Sequence, residues 1–267
     1  MRRWLGALLL VVFGLRAVPT AVPSISASSS TRVQGASQRG PGAALRAPLE
    51  RAWSLLAEGR AAEVVVEVDR VLLGLKPRVH APDEVLDAET IREAARDAAT
   101  LRVEAVLAGF PDLRGSRRDF LRSIAGEATY GDWAQGVPAS ITLAQAILES
   151  SWGNAAPGFN WFGLKGVGPA GSVERRVVEY RHGRRRHTMA AFRLYDDPAD
   201  AIRDHGEILA TRSCYARARA AGDDVEGYAR GLVGVYATDP RYADKLMRLI
   251  TSLSLDRFDW RTGTPWL

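Results

Sequence analysis

The sequence AQAILESSWGNAAPGFNWFGLKG, residues 144–166, joins a helical pattern to a glycine-rich loop. The helix is predicted to begin at Pro138, because proline is tolerated in a first helical turn. Gln145, Glu149 and Trp152 are spaced at i, i+4 and i+7, so they share a stripe beside the apolar face. Partial burial there raises the pKa of a carboxyl group and keeps some of it protonated near neutral pH. Glu149 is therefore a candidate general acid, with a solvated surface glutamate as the alternative.

Periodic patterns continue on both sides of this stretch. Residues 117–133 predict a helix, and Gly153 is the predicted end of the helix that follows. Residues 173–195 alternate valine and tyrosine with polar residues around a central His-Gly pair, which predicts a β-hairpin. The predicted starts of the later helices, each with an acid in capping position, are Asp197, Asp223 and Asp239. Helices with one inserted hairpin indicate an α+β fold.

Shifts in composition divide the chain into five predicted regions. The chain begins with MRRW, continues with the apolar run LGALLLVVFGL and then becomes rich in small residues, which is the pattern of a secretory signal peptide. An uncleaved membrane anchor is the alternative. The predicted regions are a signal peptide at 1–27, a flexible linker at 28–47, a helical region of unknown role at 48–113, the α+β domain at 114–255 and a tail at 256–267. We therefore expect an exported protein of the periplasm, cell wall or extracellular space, with no stable anchor after cleavage.

Composition limits the classes of partner and cofactor. The 267 residues carry 36 basic and 31 acidic side chains, a net charge of +5, which suits an anionic partner such as a wall polymer. No basic patch is interleaved with aromatic residues, so nucleic-acid binding is not expected. The four histidines follow no metal-ligand spacing, and we expect no metal or cofactor.

Cys214 is the single cysteine, so no internal disulfide can form, and we expect a small buried side chain. A monomer is expected.

Three motifs in order resemble the glucosaminidase domain of glycoside hydrolase family 73, which includes the flagellar peptidoglycan hydrolase and many autolysins. They are the helix AQ…LESxWG, the loop NxFGxK and the segment YATDPxYAxKL, and the resemblance covers residues 117–253. The positions that match are Pro138, Gln145, Leu148, Glu149, Ser150, Trp152, Gly153, Asn160, Phe162, Gly163, Lys165, Tyr236, Asp239, Pro240 and Tyr242.

The resemblance implies a lysozyme-like α+β fold, mainly helical with a small β-hairpin lobe, that cleaves the β-1,4 bond after N-acetylglucosamine in peptidoglycan. Glu149 matches the general acid of the family. Glu179 on the hairpin best matches the second carboxylate, with Glu174 as the rival position. Tyr236 matches the tyrosine that the family places beside the acid, where its phenol could bind the N-acetyl group of the substrate or position a water.

The remaining candidates are expected to bind the sugar chain. Trp152, Trp161 and Phe162 offer flat apolar faces for sugar rings, although Trp152 could serve mainly in packing. Trp161 departs from the smaller residue that is common in the family, which leaves its role open. Gln145 is included because it shares the stripe of Glu149, and Asn160 is expected to shape the loop more than to touch the chemistry.

Two other kinds of protein fit the same sequence. One is a muramidase or lytic transglycosylase on a related scaffold, which can work with one glutamate. The other is a wall-binding or assembly factor without activity.

The mechanism also stays open: two carboxylates about 6.5 to 9.5 Å apart favour inversion by water, about 5 Å favours a covalent intermediate, and the acetamido group of the substrate could attack instead.

Overall fold

The computed structural model describes residues 43–76, 86–110, 112–181 and 184–260. The predicted signal peptide, the first part of the predicted linker and the last seven residues lie outside these ranges. Within them the elements are α1 (Ala43–Ala57), α2 (Ala61–Leu75), α3 (Ala88–Ala108), α4 (Gly115–Gln135), α5 (Ala139–Ser150), β1 (Ser172–Arg181), β2 (Arg184–Arg193), α6 (Pro198–Thr211), α7 (Ala216–Arg219), α8 (Val225–Leu232) and α9 (Tyr242–Leu253), with short 3₁₀ turns at Ser213–Tyr215 and Leu255–Phe258. The prediction of a mainly helical α+β fold with one hairpin is confirmed.

Three helix starts follow local sequence rules, whereas α9 begins at Tyr242 after Arg241, which makes no side-chain cap, and not at the predicted Asp239. Asp87 caps α3 by accepting from the backbone N–H groups of Glu89 and Thr90. Asp197 caps α6 as predicted, and Asp224 caps α8, one residue after the predicted position. Each aspartate satisfies backbone donors that have no partner within the helix.

The helices share one hydrophobic core that runs from Leu49 to Trp260. Helix α4 lies centrally, because it packs against α3, α5 and α6. Its predicted stripe is buried, with Phe120 5%, Ile124 0% and Tyr130 8% exposed. The helices before residue 113 are therefore continuous with the core of the domain that follows, and the domain boundary at that position stays a prediction.

A buried arginine links the early helices to the end of the described chain. Arg102 on α3 is 1% exposed and donates to the backbone carbonyls of Arg257, Phe258 and Asp259 at 3.1, 3.1 and 2.8 Å. Its Nε also donates to Asp69 at 3.0 Å. These contacts satisfy a buried charge, which would otherwise be costly.

The predicted limits of the linker and the tail differ from the structure. Residues 43–47 belong to α1 rather than to a linker. Residues 256–260 are not a free tail, since Phe258, Asp259 and Trp260 are buried. Sequence composition missed the limit of the tail because the ring that stacks on Phe258 belongs to Phe110, far away in the chain.

The hairpin is a two-stranded antiparallel sheet that is anchored at its base. Val177 pairs with Thr188 and Val173 with Phe192. The backbone N–H of Arg193 donates to Leu164 at 2.9 Å, which ties β2 to the glycine-rich loop. The guanidinium of Arg193 forms a 2.5 Å ion pair with Asp204 on α6.

Two further observations concern the surface. Cys214 is exposed in the turn before α7, so the expectation of a buried side chain is wrong. Its neighbour Tyr215 takes the buried position in the same turn. Across the described ranges, no helix is both long enough and apolar enough to cross a membrane.

Candidate active site

Helix α5 carries Glu149 on its last turn. The helix is almost entirely buried, whereas Glu149 itself is half-buried. The helix ends at Ser150 rather than at the predicted Gly153, because Ser151 and Trp152 already adopt left-handed backbone angles with φ of 51° and 62°. Such angles cost a non-glycine residue roughly 1–2 kcal/mol and concentrate at functional sites.

The side chain of Ser150 closes this turn. Its Oγ donates to the carbonyl of Ala146 at 2.6 Å and accepts from the N–H of Gly153 at 2.7 Å. A serine in that position therefore fixes the chain reversal directly after Glu149. The sequence rule that a glycine ends a helix missed this side-chain contact.

Glu149 is held by a hydrogen-bond chain that joins two helices. The hydroxyl of Tyr242, the first residue of α9, donates to Glu149 Oε1 at 2.9 Å. Gln145 Nε2 donates to the same hydroxyl at 3.0 Å. Burial raises the pKa of Glu149, while the Tyr242 hydrogen bond and the charge of Lys245 oppose part of that rise. The group can therefore hold a proton at a higher pH than a solvated glutamate.

The phenol in contact with the acid is thus Tyr242 and not Tyr236. Tyr236 is 1% exposed, and its hydroxyl donates to the carbonyl of Phe162 at 3.2 Å. The two tyrosine rings stack with centroids 5.8 Å apart. The prediction that Tyr236 binds substrate or water is not supported by this arrangement, because its hydroxyl is engaged inside the protein. Tyr242 was part of the recognised motif, but its sequence position gave no sign of this contact.

The loop at residues 160–166 is fixed by Asn160. Its Nδ2 donates to the carbonyls of Leu164 and Arg193 at 2.8 and 2.9 Å, and its Oδ1 accepts from the N–H of Leu164 at 2.8 Å. The side chain is 3% exposed, so it shapes the loop and offers no surface to a substrate, and the prediction that Asn160 binds the substrate is not supported.

The predicted sugar-binding aromatics divide into two groups. Phe162 is fully buried, and Trp161, at 5% exposure, packs edge-on against Phe120. Neither presents a free ring face, so the expectation that they stack on sugars is not supported. Trp152 is half-buried, lies edge-on to Phe120 at 5.9 Å and has the guanidinium of Arg117 5.1 Å from its ring centre. Trp152 stays the predicted sugar contact.

Gln145 likewise has an internal role. It is fully buried and contacts Tyr242 rather than an open surface. Its Oε1 has no hydrogen-bond partner within the described part of the chain. The predicted contact between Gln145 and substrate is therefore replaced by a contact that orients Tyr242.

His205 is a component of the site that the sequence did not reveal. It is fully buried on α6, and its ring stacks on Phe162 with centroids 3.8 Å apart and planes 13° apart. Burial lowers the pKa of His205 to about 3, so the ring is neutral. Neither nitrogen has a partner among the described residues. No local pattern in the sequence marks this packing.

The second carboxylate was predicted on the hairpin. The backbone of Glu179 pairs with Arg186 in β1 and β2, two residue pairs from the strand ends. The side chain of Glu179 lies outside the described part of the structure. Glu174 is exposed and pairs with Ala191 near the base of the hairpin.

Comparisons with known proteins agree with this arrangement. Residues 125–255 match the family Glucosaminidase, described as mannosyl-glycoprotein endo-beta-N-acetylglucosaminidase. The peptidoglycan hydrolase FlgJ of Salmonella typhimurium is 33% identical over 181 residues, which are 62% of this chain and 57% of that protein. A probable N-acetylmuramidase of Lactococcus lactis subsp. lactis is 35% identical over 154 residues, 54% of this chain and 35% of that protein. The matches thus span only part of these relatives.

A solved structure gives the fold. The catalytic domain of the autolysin Auto from Listeria monocytogenes aligns with a TM-score of 0.50 and 27% identity, over 66% of this chain and all of that domain. The predicted lysozyme-like fold is confirmed. Together with the family match, these relations show that residues 125–255 form a domain of the glucosaminidase family, glycoside hydrolase family 73.

Proposed function

We propose that this protein is an exported endo-β-N-acetylglucosaminidase that cleaves the β-1,4 bond after N-acetylglucosamine in peptidoglycan. The observation that carries the proposal is the half-buried Glu149, whose Oε1 accepts one hydrogen bond from Tyr242. Its raised pKa suits a group that must be protonated before the reaction and ionised after it. Membership of the glucosaminidase family supports the choice of substrate.

In the proposed reaction Glu149 gives its proton to the oxygen that bridges two sugars. The electron pair of the bond between C1 and that oxygen moves to the oxygen, which leaves as a hydroxyl group. A water oxygen forms the new bond to C1, and the proton that the water loses passes to a base. One product then ends in a reducing N-acetylglucosamine, and the other begins with a free hydroxyl.

Glu179 is the proposed base. Alternate positions of a strand lie on the same face, and position 179 has the same parity in β1 as Val177, which is buried at 2% exposure. Glu174 has the opposite parity and is exposed. The choice of Glu179 over Glu174 therefore rests on position 179 sharing the strand face of a buried residue.

The test is digestion of purified peptidoglycan, with new chain ends identified by mass spectrometry after borohydride reduction. The wild-type protein is expected to produce reduced N-acetylglucosamine ends. Glu149→Gln keeps the shape of the side chain but cannot donate the proton, so the rate should fall by about 10²- to 10⁴-fold. Circular dichroism should show an unchanged fold.

Hairpin variants provide the matched control. Glu179→Gln is expected to lower the rate strongly, whereas Glu174→Gln should retain nearly all of it. Near-normal digestion by Glu149→Gln would overturn the assignment of the acid. Equal activity of the two hairpin variants would remove Glu179 from the proposal.

A second candidate is an N-acetylmuramidase, because one relative at 35% identity carries that name. The same digestion separates the two, since a muramidase leaves a reducing muramic acid end. An anhydro-muramic end would indicate a lytic transglycosylase. Wall binding without any new chain end would indicate an assembly factor.

Export is the cellular part of the proposal. The charged start followed by an apolar run supports it, as does the basic composition, which suits an anionic wall. Fractionation of cells that express the full chain should place the protein outside the cytoplasm at a lower mass. An uncleaved cytoplasmic product would contradict it.

A further inference from the structure

The hydrogen bonds around Glu149 run in one direction through three side chains. Gln145 donates through Nε2 to the hydroxyl of Tyr242, and Tyr242 donates to Glu149 Oε1. A phenol has one proton to give. Because the hydroxyl oxygen of Tyr242 already receives an N–H, its single proton is directed at Glu149.

This direction distinguishes the two oxygens of the carboxyl group. Oε1 accepts a hydrogen bond from Tyr242, so in the neutral acid the proton belongs on Oε2. We propose that Gln145 and Tyr242 are positioning residues that select Oε2 as the oxygen from which Glu149 donates its proton. The inference rests on the proposed function and extends it from a residue to an atom.

The side-chain amide of Gln145 could also lie in the opposite orientation, which is the alternative to this inference. Oε1 of Gln145 has no hydrogen-bond partner among the described residues, so only the contact with Tyr242 fixes the orientation of this amide. A flipped amide would accept the Tyr242 proton and leave Glu149 without a donor. The oxygen and the nitrogen of an amide are assigned from the hydrogen bonds that they make. Experiment therefore has to separate the two orientations of the Gln145 amide.

Other groups near Glu149 do not replace the Tyr242 contact. Lys245 acts on Glu149 through its charge and forms a 2.6 Å ion pair with Asp239. Tyr236 lies close enough for Glu149 to influence its pKa, but its hydroxyl donates to Phe162. Among the described residues, Tyr242 supplies the hydrogen bond to this carboxylate.

The experiment measures the titration of Glu149 in the full chain by carbon-13 NMR, with its signal assigned by comparison with Glu149→Gln. Tyr242→Phe removes the donor that favours the ionised form, so the titration of Glu149 should move to higher pH by about one unit. This readout needs no substrate, and it therefore tests the inference even if the protein does not cleave peptidoglycan.

Measurements of kcat and KM against pH use the same variant, Tyr242→Phe. A general acid must be protonated, so activity falls as pH rises through its pKa, and Tyr242→Phe should shift that basic limb upward. The kcat should fall by about tenfold, since one hydrogen bond to a charged group is lost. KM should change little, because Tyr242 is buried and does not touch the substrate.

Two substitutions at Gln145 separate the rival orientations. Gln145→Met removes the donor and should produce a smaller shift in the same direction as Tyr242→Phe. Gln145→Leu, a second apolar substitution, should give the same result. If these variants move the Glu149 titration to lower pH, the Tyr242 proton was bound to a flipped amide in the native protein, and the inference is overturned.

Tyr228→Phe is the control. The Tyr228 hydroxyl is buried and has no partner in the described part of the chain, so its removal should leave the Glu149 titration in place. A Tyr242→Phe protein that loses thermal stability without any shift in titration would give Tyr242 a structural role only, which also overturns the inference. Failure of the proposed function would show separately, as absence of cleavage by the wild-type protein.

Discussion

The two ends of helix α5 both hold carboxyl groups, yet they hold them differently. At the N-terminal end, Asp259 accepts from the N–H and the hydroxyl of Ser140 at 2.6 and 2.8 Å. Asp132 accepts from the backbone N–H groups of Ala139 and Trp260 at 3.1 and 2.8 Å. The first turn of a helix has free N–H groups and a positive dipole end, so it suits acids.

At the C-terminal end, Glu149 meets the opposite conditions. The last turn offers carbonyls and the negative end of the dipole, neither of which stabilises a carboxylate. Glu149 therefore depends on side chains, and its donor among the described residues is Tyr242. An acid with two or more fixed donors stabilises the fold, whereas an acid with one donor can change its protonation state at low structural cost.

A search for perturbed pKa values alone would have placed the active site at the N-terminal end of α5. Burial, with the charge of Asp259 as a second cause, raises the pKa of Asp132 to about 8. A cavity of about 330 Å³ also adjoins Asp132 and Asp259. Perturbed groups beside cavities are active-site candidates only in a statistical sense. The hydrogen bonds to Asp132 and Asp259 come largely from backbone groups, which indicates a structural role.

The largest expected loss of stability tests the contacts of residues 257–259, beside the N-terminal end of α5. Arg102→Met removes a buried cation that joins α3 to the carbonyls of residues 257–259. Asp69 and the carbonyls of Arg257 and Asp259 lose this donor, whereas the carbonyl of Phe258 keeps the hydroxyl of Thr129. The free energy of unfolding in urea should fall by about 3–5 kcal/mol. Activity per folded molecule should be retained at low temperature.

A surface pair on the same helices is the control. Arg122 and Glu104 join α4 to α3 at 2.9 Å with side chains 40% and 27% exposed, so Arg122→Met should cost about 0–1 kcal/mol. Equal losses for the two arginine variants would mean that the early helices are not held by the buried contact.

A smaller loss of stability is expected from a change in the loop at residues 160–166, which follows α5. Asn160→Ala removes three hydrogen bonds, two to Leu164 within the loop and one to Arg193 of β2. The loop carries Phe162, whose carbonyl accepts from Tyr236. The expected loss is about 1–3 kcal/mol of unfolding free energy, because buried backbone groups lose their partners. Unlike Arg102→Met, this variant should also lower kcat in peptidoglycan digestion. Unchanged kcat at full folding would show that the loop does not support the site.

The smallest effect at neutral pH is expected for His205→Phe. The new ring can keep the stack on Phe162 and removes two buried nitrogens that have no partner among the residues that the structure describes, so stability at pH 7 should change by less than about 1 kcal/mol. In the wild-type protein the lowered pKa of His205 gives stability above pH 6.5 that is lost as pH falls toward 3. Thermal unfolding followed from pH 7 to pH 4 should therefore show a smaller decline for the variant. Parallel curves would contradict the buried, neutral histidine.

Much of the fold could be predicted because its signals are local. The stripe on α4, the Asp197 cap and the alternation in the hairpin depend on neighbours within a few residues. The end of α5 was placed too late because a serine hydroxyl, rather than a glycine, closes that turn. The exposure of Cys214 was missed because an isolated cysteine carries no periodic signal.

The candidate site was only partly predictable for a related reason. Glu149 could be found because its helical stripe and its motif lie in one short segment. The burial of Phe162 and Trp161, the stack of His205 and the hydroxyl partner of Tyr236 depend on which helices meet. Side chains expected to touch the substrate thus became the supports of the site.

The sequence by itself determined most of the elements and the family and pointed to Glu149 as the candidate acid, since each is encoded in adjacent residues or in an ordered set of motifs. Only the tertiary structure decided which phenol reaches that acid, because Tyr242 lies 93 positions from Glu149. Likewise, only folding joined Arg102 to carbonyls 155 to 157 positions away. Local periodicity fixes the direction in which a side chain leaves its helix. The partner that it meets is set by the packing of helices from distant parts of the chain.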